Sequence, residues 1–380
     1  MLLRRLILIA AGVIFLLILT GCTACKSVSG QCPQVKWRVH IGTPRDTRVD
    51  APVAVAKGMV FVGASERRAD GSKWGKEVHY LQGLRSADGG FVWHCEVAGY
   101  TISRPVVQND VVYFASGRGR LYASKAFDGQ VKWAVPIWDN TSAPVLDGSE
   151  VYLASNQQIQ SPGPGSVIAL NSATGIDKWQ ARPRFPIAHT PAVSDHLVFV
   201  ADGDGLLALE RETGREHWRF ALKYPTTTPA VLSRDLVYVA DSISLYSLEQ
   251  STGRERWRFT PERDSASIEA LLIRNNTAFI VLNYRPPEGR RSGTLIALDL
   301  AQVRELWRIQ VPHAIDDEPT WDDGLIYLSA EDYLYAVNVT QGKLVWRYRG
   351  RGYLLAPVVA DDVLYLGDWN GDLTALILPR

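Results

Sequence analysis

Short apolar runs separated by turn residues recur along nearly the whole chain. Each cycle closes on a phrase built round a tryptophan: VKWRV, FVWHCEV, VKWAV, DKWQA, EHWRF, ERWRF, ELWRI and LVWRY, carrying Trp37, Trp93, Trp133, Trp179, Trp218, Trp257, Trp307 and Trp346. Short alternating phrases bounded by turn residues predict β-strands. Seven of these tryptophans follow a small residue by ten positions: Gly83, Ala123, Ala169, Ala208, Ser247, Ala297 and Ala336. Six also follow a glycine by four (Gly89, Gly129, Gly175, Gly214, Gly253 and Gly342), with Val303 in the remaining place. A constant spacing across a glycine turn predicts a hairpin of locked register, since a one-residue slip would turn every side chain to the wrong face. Upstream of each hairpin lies a second pair of strands, as in RPVVQNDVVYFAS (Arg104 to Ser116) and TPAVLSRDLVYVAD (Thr228 to Asp241). Each unit, about 40 residues long, is therefore expected to hold four short strands, A to D.

One such blade cannot bury both its faces, whereas neighbours in a ring cover them. The expected fold is all-β: an eight-bladed β-propeller of four-stranded antiparallel blades spanning residues 35–380. The ends of the chain fit that ring. The last unit, from Ala356, holds strands A, B and C and stops at Arg380 with no tryptophan strand, while VKWRV (Val35 to Val39) has no A, B or C before it. Together they make one blade, so the N-terminal strand is expected to pair with the C-terminal unit and remove a free sheet edge.

The units vary in one place. From the strand B aromatic to the small residue of strand C is nine or ten positions in five blades, but 22 from Phe61 to Gly83, 17 from Tyr152 to Ala169 and 18 from Phe279 to Ala297. All three insertions are expected as B–C loops, on the face from which the D–A linkers also emerge, and variation confined to one face marks a binding face. Trp74 and Trp369 belong to B–C segments and Trp138 to a D–A linker; with Arg67, Arg68, Arg290 and Arg291 they are the candidate partner-binding residues. The alternative is that each tryptophan packs under its own loop. Trp321, in or just after an A strand, is expected in the core.

Ahead of the repeats, Arg4 and Arg5 precede an apolar run from Leu6 to Leu19. That run has the length of a signal-peptide core and is short for a membrane span. Its end, Leu19-Thr20-Gly21-Cys22, resembles the lipobox of bacterial lipoproteins, which implies cleavage before Cys22 and lipidation of its thiol. The expected organisation is then a signal peptide over 1–21, a lipid-anchored tether over 22–34 and the propeller; an uncleaved anchor helix or a plain signal peptide is the alternative. Thr23, rather than aspartate, after the cysteine implies, by the same resemblance, sorting to the outer membrane with the ring facing the periplasm. Losing residues 1–21 removes two arginines and takes the formal charge from +1 to −1. A near-neutral chain argues against nucleic acid as the main partner. Besides Cys22 there are Cys25, Cys32 and Cys95; Cys32 with Cys95 is the expected bridge in an oxidising compartment.

The phrases VIALNSATGIDKW, LLALERETGREHW and LYSLEQSTGRERW resemble the pyrroloquinoline-quinone-type propeller repeat, and the resemblance runs from about Val35 to Arg380. Two families carry that repeat. Quinone-dependent dehydrogenases hold a metal-bound quinone in the channel, often beside a disulfide between adjacent cysteines; no adjacent cysteines occur here. The BamB family, lipoprotein propellers of the β-barrel assembly machinery, is similar in lipobox, length, blade number and the segment VAGYTISRPVV (Val97 to Val107). That resemblance implies a non-enzymatic scaffold without cofactor, partnered by the assembly machinery. It also implies partner contacts in linkers before two successive A strands. The corresponding PIWDNTS (Pro136 to Ser142) and ARPRFPIAH (Ala181 to His189) depart from the family pattern, so no contact residue is carried over. A dehydrogenase-like, carbohydrate-binding or other ligand-binding propeller is the alternative function.

Isolated chemical motifs read as structure. DGDG (Asp202 to Gly205) lacks the third acid and distal glutamate of a calcium loop and occupies a B–C turn. His94 and Cys95 are neighbours on a strand and point to opposite faces. The acids Asp316, Asp317, Glu318, Asp322 and Asp323 flank a strand as turn residues do. His189 and His313 stand in linkers with no nucleophile motif beside them. No catalytic or metal-binding residue is expected.

Overall fold

The computed structural model describes residues 25–27, 32–43, 46–68, 76–98, 103–117, 119–137, 142–156, 165–187, 189–262, 266–286 and 289–379. The small-to-tryptophan spacing is the register of one strand pair. Gly83 lies opposite Trp93, Ala123 opposite Trp133, Ala169 opposite Trp179, and the same holds through Ala336 and Trp346. On the other side of each small residue stands the strand B aromatic, as Tyr113 does for Ala123. The absence of a large side chain in the middle strand lets the two rings meet over it, with centroids 5.8 to 6.1 Å apart in all eight blades. A Cβ on Gly83 would stand 2.6 Å from the Trp93 ring.

In six of the eight blades the indole also ties the blade to the next. Trp93 donates its ring N–H to the Ala126 carbonyl in the following C–D turn at 2.9 Å; Trp37, Trp133, Trp179, Trp218 and Trp307 make the equivalent bond at 2.7 to 3.1 Å. The turn glycine is therefore required twice. Gly129 has φ +71°, and a Cβ there would lie 2.4 Å from Trp93 of the preceding blade. Val303 holds the same left-handed conformation, φ +50°, without that freedom, and the facing Trp257 makes no such bond among the described residues.

Each strand B and C is buried throughout or nearly so, as Val111–Ser116 is, whereas strand D alternates and the three-residue A strands are half-buried. These are the positions of middle, outer and channel-lining strands. The innermost strands of successive blades touch from Ala54–Ala56 through Val106–Gln108 and Val145–Asp147 as far as Ala266–Arg274, and again from Thr320–Asp322 to Val358–Ala360, which returns to Ala54–Ala56. Numbering blades by their A strands from residue 47, the eighth is built from both chain ends. Gln34–His40 pairs with Asp372–Ile377, placing Trp37 opposite Ala375, the eighth small-to-tryptophan pair. The protein is thus an eight-bladed β-propeller closed as its repeat deficit predicts. Blade 8 has no C–D turn, and Trp346, which faces that seam and is fully buried, leaves its indole N–H unpaired.

The cysteine pairing differs from the expectation. Cys25 and Cys32 form a disulfide, with Cα atoms 6.0 Å apart, and Cys95 is free. The cause is an N-terminal strand, Cys25–Ser27, which lies within the segment expected as a tether. It pairs antiparallel with the outer strand of blade 7, Lys343–Arg349, and brings Cys25 against the cluster round Trp346 and Tyr348. Cys95, on the outer strand of blade 1, is half-buried, and burial pushes its thiol up, away from the reactive thiolate.

Candidate protein-binding face

Two of the three B–C insertions are strand rather than loop. In blade 1, strands Met59–Arg68 and Lys76–Arg85 pair without a break to Arg68 opposite Lys76, four residues further than in blade 2, where pairing ends at Ser116 and Arg120. Four residues of strand raise the hairpin by about 13 Å. In blade 6, Thr277–Tyr284 and Ser292–Asp299 also run long, and Ala266–Arg274 extends beside them where other A strands have two or three residues. Trp74, Trp138 and the blade 3 insertion between Asn156 and Gly165 fall in or across segments outside the described residues, as does Cys22.

Blades 1 and 6 are separated round the ring by blades 7 and 8, so their raised hairpins flank that sector. Within it Trp369, in the B–C turn of blade 8, is 55% exposed and stacks on Tyr353, with centroids 4.4 Å apart and planes at 20°. Tyr353, in the linker between blades 7 and 8, donates its hydroxyl proton to Asp316 Oδ2. Asp316, in the preceding linker, accepts from Arg291 Nη2 at 3.1 Å through Oδ1. Burial, then the hydrogen bond to Asp316, raises the Tyr353 phenol well above its ordinary range, so it stays a donor. An exposed indole is thereby fixed by a chain crossing three blades, which lowers the entropy cost of using it in an interface.

The other candidate arginines divide. Arg290 and Arg67 are exposed on the two flanking hairpins. Arg68 is engaged within its hairpin, pairing with Glu66 at 2.9 Å and Glu96 at 2.8 Å. Glu66 is buried; burial would raise its carboxyl, but bonds from Thr43 and Arg68 outweigh that and hold it below the ordinary range. Arg68 therefore stiffens the blade 1 hairpin. Sequence reasoning missed Tyr353 and read Asp316 as a turn acid, although both stand in D–A linkers of the face it selected.

Inside the rim, Arg104 and Glu318 precede the A strands of blades 2 and 7. Burial lowers Arg104 and raises Glu318, and each feels the other's opposite charge. Both side chains keep access to solvent. Beside them Asp317 is pushed up to about 6 by burial, with Asp316 and Glu318 adding to the rise. DGDG is a turn: Asp202 is fully buried, its Oδ1 accepting from the backbone of Asp204 and Gly205 and its Oδ2 from Arg219. No cluster of three or more His, Cys, Asp or Glu placed to hold a metal occurs among the described residues. Trp321 is partly buried, 5.8 Å from Phe279, as a core residue would be.

Fold and face together define a quinone-type-repeat propeller with an elaborated B–C face. A family profile described as "Outer membrane protein assembly factor BamB" matches residues 33–134, 77–186, 163–282 and 244–378, and the chain belongs to that family. Outer membrane protein assembly factor BamB of Yersinia pestis is 32% identical over 108 residues, 28% of this chain and 27% of that protein, so the aligned part spans about a quarter of the relative. The crystal structure of BamB from Moraxella catarrhalis superposes with a TM-score of 0.66 at 17% identity, covering 89% of this chain and 98% of that one. Quinohemoprotein alcohol dehydrogenase from Comamonas testosteroni has the same fold, with a TM-score of 0.71 at 12% identity over 92% of this chain and 78% of that one.

Proposed function

We propose that this chain is a non-enzymatic scaffold of outer-membrane protein assembly, lipid-anchored at Cys22 in the outer membrane and facing the periplasm. It docks a protein of the β-barrel assembly machinery on the B–C face of blades 6, 7, 8 and 1. Family membership supports the process. The observation that carries the docking face is the exposed Trp369 ring, held on Tyr353 by Asp316 and Arg291 between two raised hairpins. Aromatic anchors with arginines nearby are the residues on which protein interfaces concentrate their energy. The membrane anchor raises the effective concentration of a membrane-bound partner.

The test is affinity purification from crosslinked membranes, comparing the native protein with Trp369→Ala and with Phe127→Ala. Phe127 is exposed in a C–D turn on the opposite face. Barrel-assembly subunits are expected with the native protein and Phe127→Ala, and about tenfold less with Trp369→Ala. Equal recovery with both variants would remove the face, and no recovery of assembly subunits with folded native protein would remove the function.

A further inference from the structure

The chain just after the proposed lipidation site is fixed to the ring. Cys25 lies opposite Tyr348, Lys26 opposite Arg347 and Ser27 opposite Trp346. The blade 7 outer strand runs from its C–D turn toward the linker that enters blade 8, so the antiparallel N-terminal strand comes down from the B–C face. Cys25, nearest that face, is bonded to Cys32, which leads directly into the ring-closing strand Gln34–His40. The short strand is thus held by three backbone partners, an apolar contact and a covalent staple.

We infer that this stapled strand orients the ring on the membrane, with the B–C rim of blade 7 against the lipid surface and blade 3, diametrically opposite, farthest from it. Cys22 is three residues before Cys25, a reach of at most about 10 Å. A free segment over 22–34 would span roughly 20 Å and leave the ring able to turn in any direction. The staple removes that freedom, and it brings the sector holding Trp369 and Tyr353 to the membrane side, where a partner embedded in the same membrane is met. The inference deepens the scaffold reading and rests on acylation of Cys22.

Arg351 and Arg184 test it, because each stands five residues after its blade's tryptophan (Trp346 and Trp179) in the linkers after blades 7 and 3, and both are exposed. Photoreactive p-benzoylphenylalanine is placed at one or the other in the purified acylated protein. The protein is reconstituted alone in phosphatidylethanolamine and phosphatidylglycerol vesicles, and lipid adducts are counted by mass. Position 351 is expected to give about fivefold more lipid adduct than 184. Inserting ten Gly/Ser residues between Thr23 and Ala24 leaves staple and ring untouched and is expected to bring the ratio to about one; Cys25→Ser with Cys32→Ser should lower it too. Equal adducts at 351 and 184 in acylated protein, or a ratio the insertion does not change, overturns the orientation and leaves the anchor standing. Absence of acyl chains on Cys22 by mass overturns the anchor reading and the inference with it.

Discussion

Replacing Gly129 by alanine isolates what joins the blades. Gly129 and Gly148 both have positive φ, +71° and +61°, so an alanine at either carries the left-handed penalty of about 1–2 kcal/mol. Their surroundings differ. A Cβ at Gly148 meets nothing within 4 Å, whereas one at Gly129 lies 2.4 Å from Cε3 and 2.7 Å from Cδ2 of Trp93 in the preceding blade. Moving that buried indole adds an overpacking cost of about 1–3 kcal/mol. It also endangers the 2.9 Å bond from the Trp93 ring to Ala126, worth about 1 kcal/mol. Gly129→Ala should therefore destabilise by about 3–6 kcal/mol and Gly148→Ala by about 1–2. Urea unfolding followed by tryptophan fluorescence reads the difference directly. Variants equal to within about 0.5 kcal/mol would mean that the glycine serves only its own backbone, and that docking of the indole on the next turn does not hold the blades.

Three further outcomes follow from the same geometry. Val303→Gly relieves a β-branched residue at φ +50° and should stabilise by about 1 kcal/mol, read as a higher melting temperature; a fall would show that Val303 packing outweighs its backbone cost. Asp317 titrates near 6 when folded against 3.8 ordinarily, so its ionisation opposes folding: the cost is absent below about pH 4, grows through that window and is complete above about pH 6. Asp317→Asn should accordingly raise the urea midpoint at pH 7.5 and leave it unchanged near pH 4, whereas a gain equal at both values would contradict the buried-carboxylate explanation. Deleting the closing strand Gln34–His40 leaves blade 8 with three strands and an open seam, and should replace one cooperative transition by a broad one at lower temperature.

The ring was legible because its signals are local and repeated. A small residue, a turn glycine and a tryptophan at constant spacing determine a hairpin register, and the missing strands at the two ends match, as Trp37 opposite Ala375 bears out. What stayed hidden depends on contacts between distant segments. The Cys25–Cys32 bond follows from a three-residue strand pairing with Lys343–Arg349, too short for any alternation to mark. Tyr353, Asp316 and Trp369 come from three separate segments that meet only once blades are adjacent. The blade 1 and blade 6 insertions were expected as loops; their chains continue the strand pairing instead, and the result is two raised walls. The spare arginines looked alike in sequence, yet Arg68 is spoken for by Glu66 and Glu96 while Arg291 joins the aromatic platform.

The most direct test of a docking face on blades 6, 7, 8 and 1 is photocrosslinking in living cells from a photoreactive residue at Trp369, compared with one at Phe127 on the opposite face, with adducts identified by mass. Subunits of the β-barrel assembly machinery are predicted from position 369 and not from 127. Assembly subunits captured from 127 alone, or none captured from 369 in cells where the protein is folded and membrane-bound, would contradict it.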